Sequence, residues 1–206
     1  MADILKKIIE YLNNDKLFEA FDLCENNKDN KIEHLILNIK GVIFFKQQKF
    51  EQAKKDFLKS IELDKSFIDP YKNLLKLNLK TQDYDSAIKN GKKVIELEIK
   101  KNPISYFNLA LVYDLKKDYK KAVDLYKIVE TLDFKEKKIL FNNLAKSFLG
   151  DQNIDEAKNY YLKALEFDHN DKLIVNNLLI LFLRIGDKKN TEHFFNRAQE
   201  IDKDYI

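Results

Sequence analysis

The chain has 206 residues, of which 45% are hydrophobic and 34% are charged, with 37 Lys and Arg against 34 Asp and Glu. Only four Gly and two Pro occur, which argues against an all-β fold with its frequent turns and favours helices joined by short connections. A formal net charge of +3 argues against a dedicated nucleic-acid surface, which concentrates positive charge.

The single cysteine and the hydropathy pattern indicate the compartment. Cys24 excludes an internal disulfide and fits a reducing environment. The first ten residues mix charged and apolar side chains without the apolar core of a signal peptide. The longest apolar stretch, residues 178–183, is far shorter than the roughly 20 residues of a membrane-spanning helix. We therefore expect a soluble cytoplasmic protein without membrane insertion.

A small residue recurs along the chain at intervals of 33 to 35 residues. It is Ala20, Ala53, Ala87, Ala122 and Ala157, with Thr191 next in line. Twelve residues earlier lie Ile8, Gly41, Leu75, Ala110, Ala145 and Leu179, and four residues later lie Cys24, Phe57, Gly91, Tyr126, Tyr161 and Phe195. The pattern predicts six helical hairpins, at residues 1–33, 34–67, 68–102, 103–137, 138–171 and 172–205, in a single domain of residues 1–206. Small residues at each crossing let the two helices approach closely.

The first three repeats differ in how well they fit this pattern. Repeat one lacks the first small residue and carries Cys24 at the aromatic place, where we expect a buried thiol. Repeat three begins at Asp69-Pro70, which predicts a capping aspartate followed by a proline at the first helical position. It then departs most from the pattern. Because Gly91 inside a helix costs about 0.5–1 kcal/mol of stability relative to Ala, we expect its second helix to be the least stable.

The last three repeats fit more closely. Repeat four begins at Asn102-Pro103, again a cap followed by proline, and its two helices are separated by the polar break 116–118. Repeats five and six each end in an acidic stretch, at residues 165–168 and 199–202. The C-terminal end carries Phe194, Phe195, Ala198, Ile201, Tyr205 and Ile206, and no polar capping helix follows.

These repeats resemble the tetratricopeptide repeat family, whose 34-residue motif has a small residue after a Leu and a later Ala followed by an aromatic. Leu109-Ala110 with Ala122 and Tyr126 carry the resemblance, as do the equivalent residues of repeat five. The first-helix Trp of the family is replaced by Tyr71, Tyr106 and Phe141. The resemblance implies an all-α fold, an alpha-alpha superhelix in which the hairpins form a right-handed solenoid whose concave wall consists mainly of first helices.

In that family the concave wall holds extended peptides or short helices of partner proteins. By register, the predicted peptide-binding groove consists of Asn38, Phe45, Lys46, Lys72, Lys76, Lys80, Asn108, Asn142, Lys146, Asn176 and Arg184. Register also places Ile180 and Leu183 of repeat six on the same wall. The surplus of cations suggests an acidic or carboxylate-ended ligand, although exposed, solvated lysines of a Lys-rich protein are the favoured explanation of the pattern. Asn73, Asn108, Asn143 and Asn177, which recur at one place of the repeat, are expected to form hydrogen bonds between hairpins.

The sequence shows no pattern typical of catalysis, of a cofactor or of a metal site. The three His residues are far apart, and neither zinc-ligand spacing nor a glycine-rich phosphate loop occurs. We therefore expect a non-catalytic scaffold or adaptor that binds a protein or peptide.

Two alternatives stay open. One is a self-associating scaffold that forms a homodimer through the C-terminal repeat. The other is a single-stranded RNA binder, since related repeats of about 35 residues read RNA, but the modest charge and only two arginines disfavour it.

Overall fold

A computed structural model describes residues 2–27 and 29–202 of the chain, and within these ranges all regular structure is helical. The chain divides into two compact units, Met1–Lys100 and Lys101–Ile206, which are described separately. The predicted single domain of residues 1–206 stays a prediction.

The first unit holds three hairpins. Its helices are α1 (Ala2–Asn13), α2 (Leu17–Glu25), α3 (Glu33–Lys46), α4 (Phe50–Leu63), α5 (Asp69–Lys80) and α6 (Tyr84–Leu97), with a short 3₁₀ turn at Asn30–Ile32 before α3. The two helices of each hairpin pack against each other, α2 packs on α3, and α4 packs on α5.

The second unit repeats this arrangement. Its helices are α7 (Pro103–Leu115), α8 (Tyr119–Glu130), α9 (Lys137–Gly150), α10 (Ile154–Leu165), α11 (Lys172–Ile185) and α12 (Lys188–Ile201). The predicted all-α fold of helical hairpins is therefore confirmed. Within the described ranges, no helix is both long enough and apolar enough to span a bilayer.

The recurring small and aromatic residues form the core of the hairpins. Ala20, Ala53, Ala87, Ala122 and Ala157 are each 0% exposed. Phe57, Tyr126 and Tyr161 are buried beside them, and the Cys24 thiol is buried as predicted. Phe195, the corresponding residue of the last hairpin, is 38% exposed, because no further hairpin covers it within the described ranges. Within each unit, the small and aromatic residues are thus buried between the two helices of a hairpin and against the neighbouring hairpin.

All six hairpin turns place one residue in the left-handed region at the same place of the repeat. These residues are Asp15, Gln48, Gln82, Lys117, Gln152 and Gly186, with φ between 56° and 73°. The next backbone N–H bonds back to a carbonyl five residues earlier, as in Asp118 N to Tyr113 O at 2.9 Å. This is the hydrogen bond that closes a Schellman helix end. The turns therefore share one geometry, although only one of them contains glycine.

The two predicted proline caps have different outcomes. Asn102 is an N-cap whose side chain accepts from Ile104 N at 3.0 Å, as expected. The prediction for Asp69 is wrong: α5 begins at Asp69 itself, and its N-cap is Ile68, which makes no side-chain cap. The Ile68 carbonyl instead accepts from the amides of Tyr71 and Lys72, so the helix starts one residue earlier.

Candidate functional site: the exposed face of the first helices

The predicted groove residues lie on the first helices of the hairpins: α3 and α5 in the first unit, and α7, α9 and α11 in the second. Their side chains fall into three groups: paired cations, unpaired cations, and amides or rings that contact neighbouring helices. The groups differ in what remains available to a ligand.

Two of the predicted cations already have carboxylate partners. Lys46 Nζ lies 3.1 Å from Asp15 Oδ1, at the turn of the preceding hairpin. Lys72 Nζ lies 3.8 Å from Glu98 Oε1, whose side chain is only 9% exposed. These partners reduce the positive charge that Lys46 and Lys72 present to an anion.

Four other cations are exposed and unpaired. They are Lys76 and Lys80 at the C-terminal end of α5, Lys146 on α9 and Arg184 on α11. Within the described ranges, no carboxylate lies within ion-pair distance of any of them. Lys80 and Arg184 lie in the last turn of their helices, where the helix dipole stabilises a cation, so these two positions have a structural reason as well.

The asparagines form hydrogen bonds between successive hairpins. Asn73 Nδ2 donates to Asn38 Oδ1 at 2.9 Å, and Asn177 Nδ2 donates to Asn142 Oδ1 at 3.0 Å. The bonds predicted for Asn73 and Asn177 are thus confirmed. Asn38, which is 8% exposed, and Asn142 were expected to face a ligand, but their carbonyl oxygens are used in these bonds. The sequence did not distinguish the repeat position of Asn38 and Asn142 from the adjacent position of Asn73 and Asn177.

The remaining predicted residues are partly buried. Asn176 is half-buried, and its Oδ1 is shielded from solvent without a hydrogen-bond partner. Asn108 on α7 is also half-buried. The ring of Phe45 packs against Phe50 of the next helix, with centroids 5.7 Å apart.

The second unit exposes large apolar side chains on its first helices. Ile104, Ile139 and Leu173 stand at the same place of three successive repeats and are 58%, 48% and 61% exposed. Ile180 and Leu183 on α11 are also exposed, and Arg184 follows directly. Register predicted that Ile180 and Leu183 lie on this face, whereas the row formed by Ile104, Ile139 and Leu173 was not predicted. Alignment of the repeats at their first-helix starts would have revealed it.

An apolar pocket of about 300 Å³ lies among the first helices of the first unit. Leu5 and Ile9 of α1 face Leu35 and Ile39 of α3 across it. Within each unit, we call the exposed residues of the first helices, with their unpaired cations and apolar side chains, the first-helix surface.

The described residues offer little to a metal ion or a catalytic mechanism. Within residues 2–27 and 29–202, no three His, Cys, Asp or Glu side chains are close enough to hold a metal. Asp114 of α7 accepts a hydrogen bond from Ser147 Oγ at 2.6 Å. Burial raises the pKa of the Cys24 thiol to about 12, which leaves it protonated at neutral pH.

Three stretches of the chain match the family model described as tetratricopeptide repeat, at residues 35–67, 104–135 and 140–171. These coincide with repeats two, four and five. Repeats one and three, which depart from the pattern in sequence, and the last repeat still fold into hairpins. A search of curated protein sequences finds no match.

Solved structures share the fold at low sequence identity. The C-terminal part of a TPR repeat-containing protein from Cytophaga hutchinsonii is 14% identical with a TM-score of 0.79, over 95% of this chain and 78% of that one. MamA from Desulfovibrio magneticus is 16% identical with a TM-score of 0.76, over 83% and 96%. YrrB, described as a TPR protein with an unusual peptide-binding site, is 16% identical with a TM-score of 0.73, over 86% and 91%. The fold class is therefore that of helical repeat solenoids.

Proposed function

We propose that the chain, in which three repeats match the tetratricopeptide repeat model, is a non-catalytic scaffold whose first-helix surface binds an acidic segment of a partner protein. Tetratricopeptide repeats generally mediate protein–protein interaction. One solved structure with the same fold is described as having a peptide-binding site.

The unpaired cations are the observation that carries the proposal. Lys76, Lys80, Lys146 and Arg184 are exposed and lack carboxylate partners in the described ranges, whereas Lys46 and Lys72 of the predicted groove are paired. A carboxylate placed beside two such cations gains electrostatic energy without displacing an internal partner. An acidic ligand is therefore favoured over a neutral or basic one.

The apolar side chains beside the cations supply a second source of affinity. Leu173, Ile180 and Leu183 lie along α11. Ile180 precedes Arg184 by four residues, about one helical turn, and Leu183 directly precedes it. Burying exposed apolar surface contributes about 25 cal/mol per Å². Burial of about 100 Å² therefore contributes about 2.5 kcal/mol, which exceeds the roughly 0–1 kcal/mol of a single surface ion pair. We propose that the bound segment alternates acidic residues with apolar ones.

Capture of a partner from native lysate tests the proposal. The variant Lys146→Glu with Arg184→Glu should lose the captured protein. The matched control Lys188→Glu with Lys189→Glu makes the same charge change on α12, a second helix, and should retain it. Equal capture by both variants would contradict the proposal.

Self-association through the last hairpin is the second candidate, and partial exposure of Phe195 is the observation that favours it. The other residues offered for this face give less support: Phe194 is 4% exposed and Ala198 is 2% exposed, while Tyr205 and Ile206 lie outside the described residues. Light scattering over a concentration series separates the two proposals. A dimer that Phe195→Ser dissociates would favour self-association, and a strict monomer would end it.

A further inference from the structure

An open pocket of about 540 Å³ lies between the second helices α4 and α6 of the first unit. Leu58 and Ile61 of α4 form its apolar floor together with Tyr71 of α5. Lys89, Lys92 and Lys93 of α6 border it. The volume is within the range of about 300–1,000 Å³ typical of ligand sites. We call it the second-helix pocket, and it involves other residues than the first-helix surface.

In the second unit, the equivalent place is filled by the ring of Tyr160. Tyr160 follows Ala157 by three residues, as Asn90 follows Ala87. It is 2% exposed, and its ring centroid lies 5.8 Å from that of Phe141 and 5.5 Å from that of Phe148. Phe141 occupies the place that Tyr71 has in repeat three. The fold therefore accepts an aromatic ring between successive second helices.

Two ammonium groups lie over the ring of Tyr160. Lys163 Nζ is 4.6 Å from its centroid, and Lys127 Nζ is 4.5 Å from it. Both distances are within the range of a cation–π interaction. The Tyr160 hydroxyl also contacts Lys127 Nζ and lies 3.0 Å from Glu130 Oε2. An aromatic ring at this place is thus held by cations as well as by packing.

The last hairpin repeats the combination. Phe194 follows Thr191 by three residues and is 4% exposed. Arg197 stands three residues after Phe194, as Lys163 stands three residues after Tyr160, and its guanidinium carbon lies 5.7 Å from the ring centroid. An aromatic followed three residues later by a cation is therefore a recurring pair in the second unit.

Repeat three retains the cation and lacks the ring. Lys93 stands three residues after Asn90, in the place of Lys163 and Arg197. Asn90 borders the pocket but has no ring to fill it, and its Nδ2 donates to Ser86 O of its own helix at 3.0 Å. The floor stays open as a result, and Leu58 is 45% exposed. The second-helix pocket is the space that a ring fills in repeats five and six.

We propose that the second-helix pocket binds an aromatic side chain of a partner protein, from a segment that also carries carboxylates. The ring lies on Leu58 and Ile61, and the Lys93 ammonium covers it as Lys163 covers Tyr160. Lys93 is paired with Glu96 at 2.6 Å, so the flanking carboxylates of the partner pair with Lys89 and Lys92. Both lysines are exposed and border the pocket.

Binding of the peptide acetyl-Glu-Glu-Tyr-Glu-Glu-amide to the full chain tests the proposal. We expect the methyl NMR signals of Leu58 and Ile61 to shift on titration, and the peptide with Ala in place of Tyr to bind at least tenfold more weakly. The variant Asn90→Tyr fills the pocket with the protein's own ring and should weaken binding of the Tyr peptide at least tenfold. The matched control Asn159→Tyr adds the same ring to an exposed place of α10 and should leave binding unchanged.

A second variant keeps the test decisive if Asn90→Tyr does not fold. Lys89→Glu with Lys92→Glu changes only exposed side chains and should also weaken binding at least tenfold. The proposal is overturned by no binding at millimolar peptide, by equal binding of the Tyr and Ala peptides, or by saturation without shifts at Leu58 and Ile61. Reversal of Lys146 and Arg184 should not affect this binding, so failure here is distinguishable from failure at the first-helix surface.

Discussion

Gly41 and Phe57 fit together so closely that a Cβ built on Gly41 would lie 2.5 Å from Phe57 Cε1. Gly41 is on the first helix of repeat two, and Phe57, which is 0% exposed, is on the second. At the two equivalent places of repeat three, the large and small residues are exchanged, as Leu75 and Gly91. Both are buried. In each of these two hairpins, the point where the two helices cross therefore holds one large side chain opposite a glycine.

The variant Gly41→Ala should therefore destabilise the first unit. Adding a methyl group to a filled core forces the Phe57 ring or the α3 backbone to shift, which costs about 1–3 kcal/mol. Chemical denaturation followed by circular dichroism would measure the loss. The double variant Gly41→Leu with Phe57→Gly, which copies repeat three, should be more stable than Gly41→Leu alone. If Gly41→Leu is as stable as the double variant, the packing account is wrong.

Asp56 should make the stability of the first unit depend on pH. Burial raises the pKa of this carboxyl, against the opposing effect of Lys40, Lys59 and Lys55, and Oδ2 has no hydrogen-bond partner among the described residues. The folded state therefore prefers the protonated form, and its stability falls as pH rises through the raised pKa. We expect Asp56→Asn to raise the melting temperature at pH 7.

The difference between Asp56→Asn and the parent chain should disappear below the ordinary aspartate pKa of 3.8, where both side chains are neutral. Melting curves at several pH values measure this difference. A variant that is less stable than the parent at pH 7 would show that the Asp56 carboxylate contributes favourably.

Cys24 should be unreactive in the folded protein. The thiol is 3% exposed, and burial raises its pKa to about 12. Because the thiolate is the nucleophile, alkylation by iodoacetamide at pH 8 should be at least tenfold slower than in the chain unfolded by guanidinium. Mass spectrometry over time measures both rates. Similar rates would indicate that α2 opens readily.

Salt should weaken partner binding, and the cations of α5 should account for part of that dependence. Exposed charges are screened over about 10 Å at 0.1 M salt, so an acidic segment loses affinity as ionic strength rises. The variant Lys76→Glu with Lys80→Glu should bind more weakly and show a flatter salt dependence. Isothermal titration at several salt concentrations gives both quantities. A parent affinity that is independent of salt would exclude charge as the basis of recognition.

The spacing of small and aromatic residues was sufficient to predict the hairpins. Ala53 and Ala122 are buried where the period places them, because close helix crossings tolerate only small side chains at these points. The shared turn geometry was not predictable in the same way. Gln48 and Lys117 adopt positive φ, which their residue types do not favour, because the hairpin fixes the helix ends on both sides.

The details of the candidate site were harder to predict from the sequence. Asn142 and Asn143 are adjacent, and which of them bonds to the next hairpin depends on a helix rotation that the repeat period does not specify. Lys46 and Lys72 are paired with carboxylates far away in sequence, Asp15 and Glu98, so their reduced charge could not be read from their own helices. Exposure at Ile180 and Leu183, in contrast, followed from register alone.

Site-specific photo-crosslinking tests binding at the first-helix surface most directly. A photoreactive residue at the place of Lys146 should give a covalent product with a partner in cells, and mass spectrometry should locate the crosslink in a segment rich in Asp and Glu. The same residue at Lys120, an exposed place on α8, serves as control and should give no product with that partner. A product from Lys120 alone, or a crosslinked segment without acidic residues, would contradict the proposal.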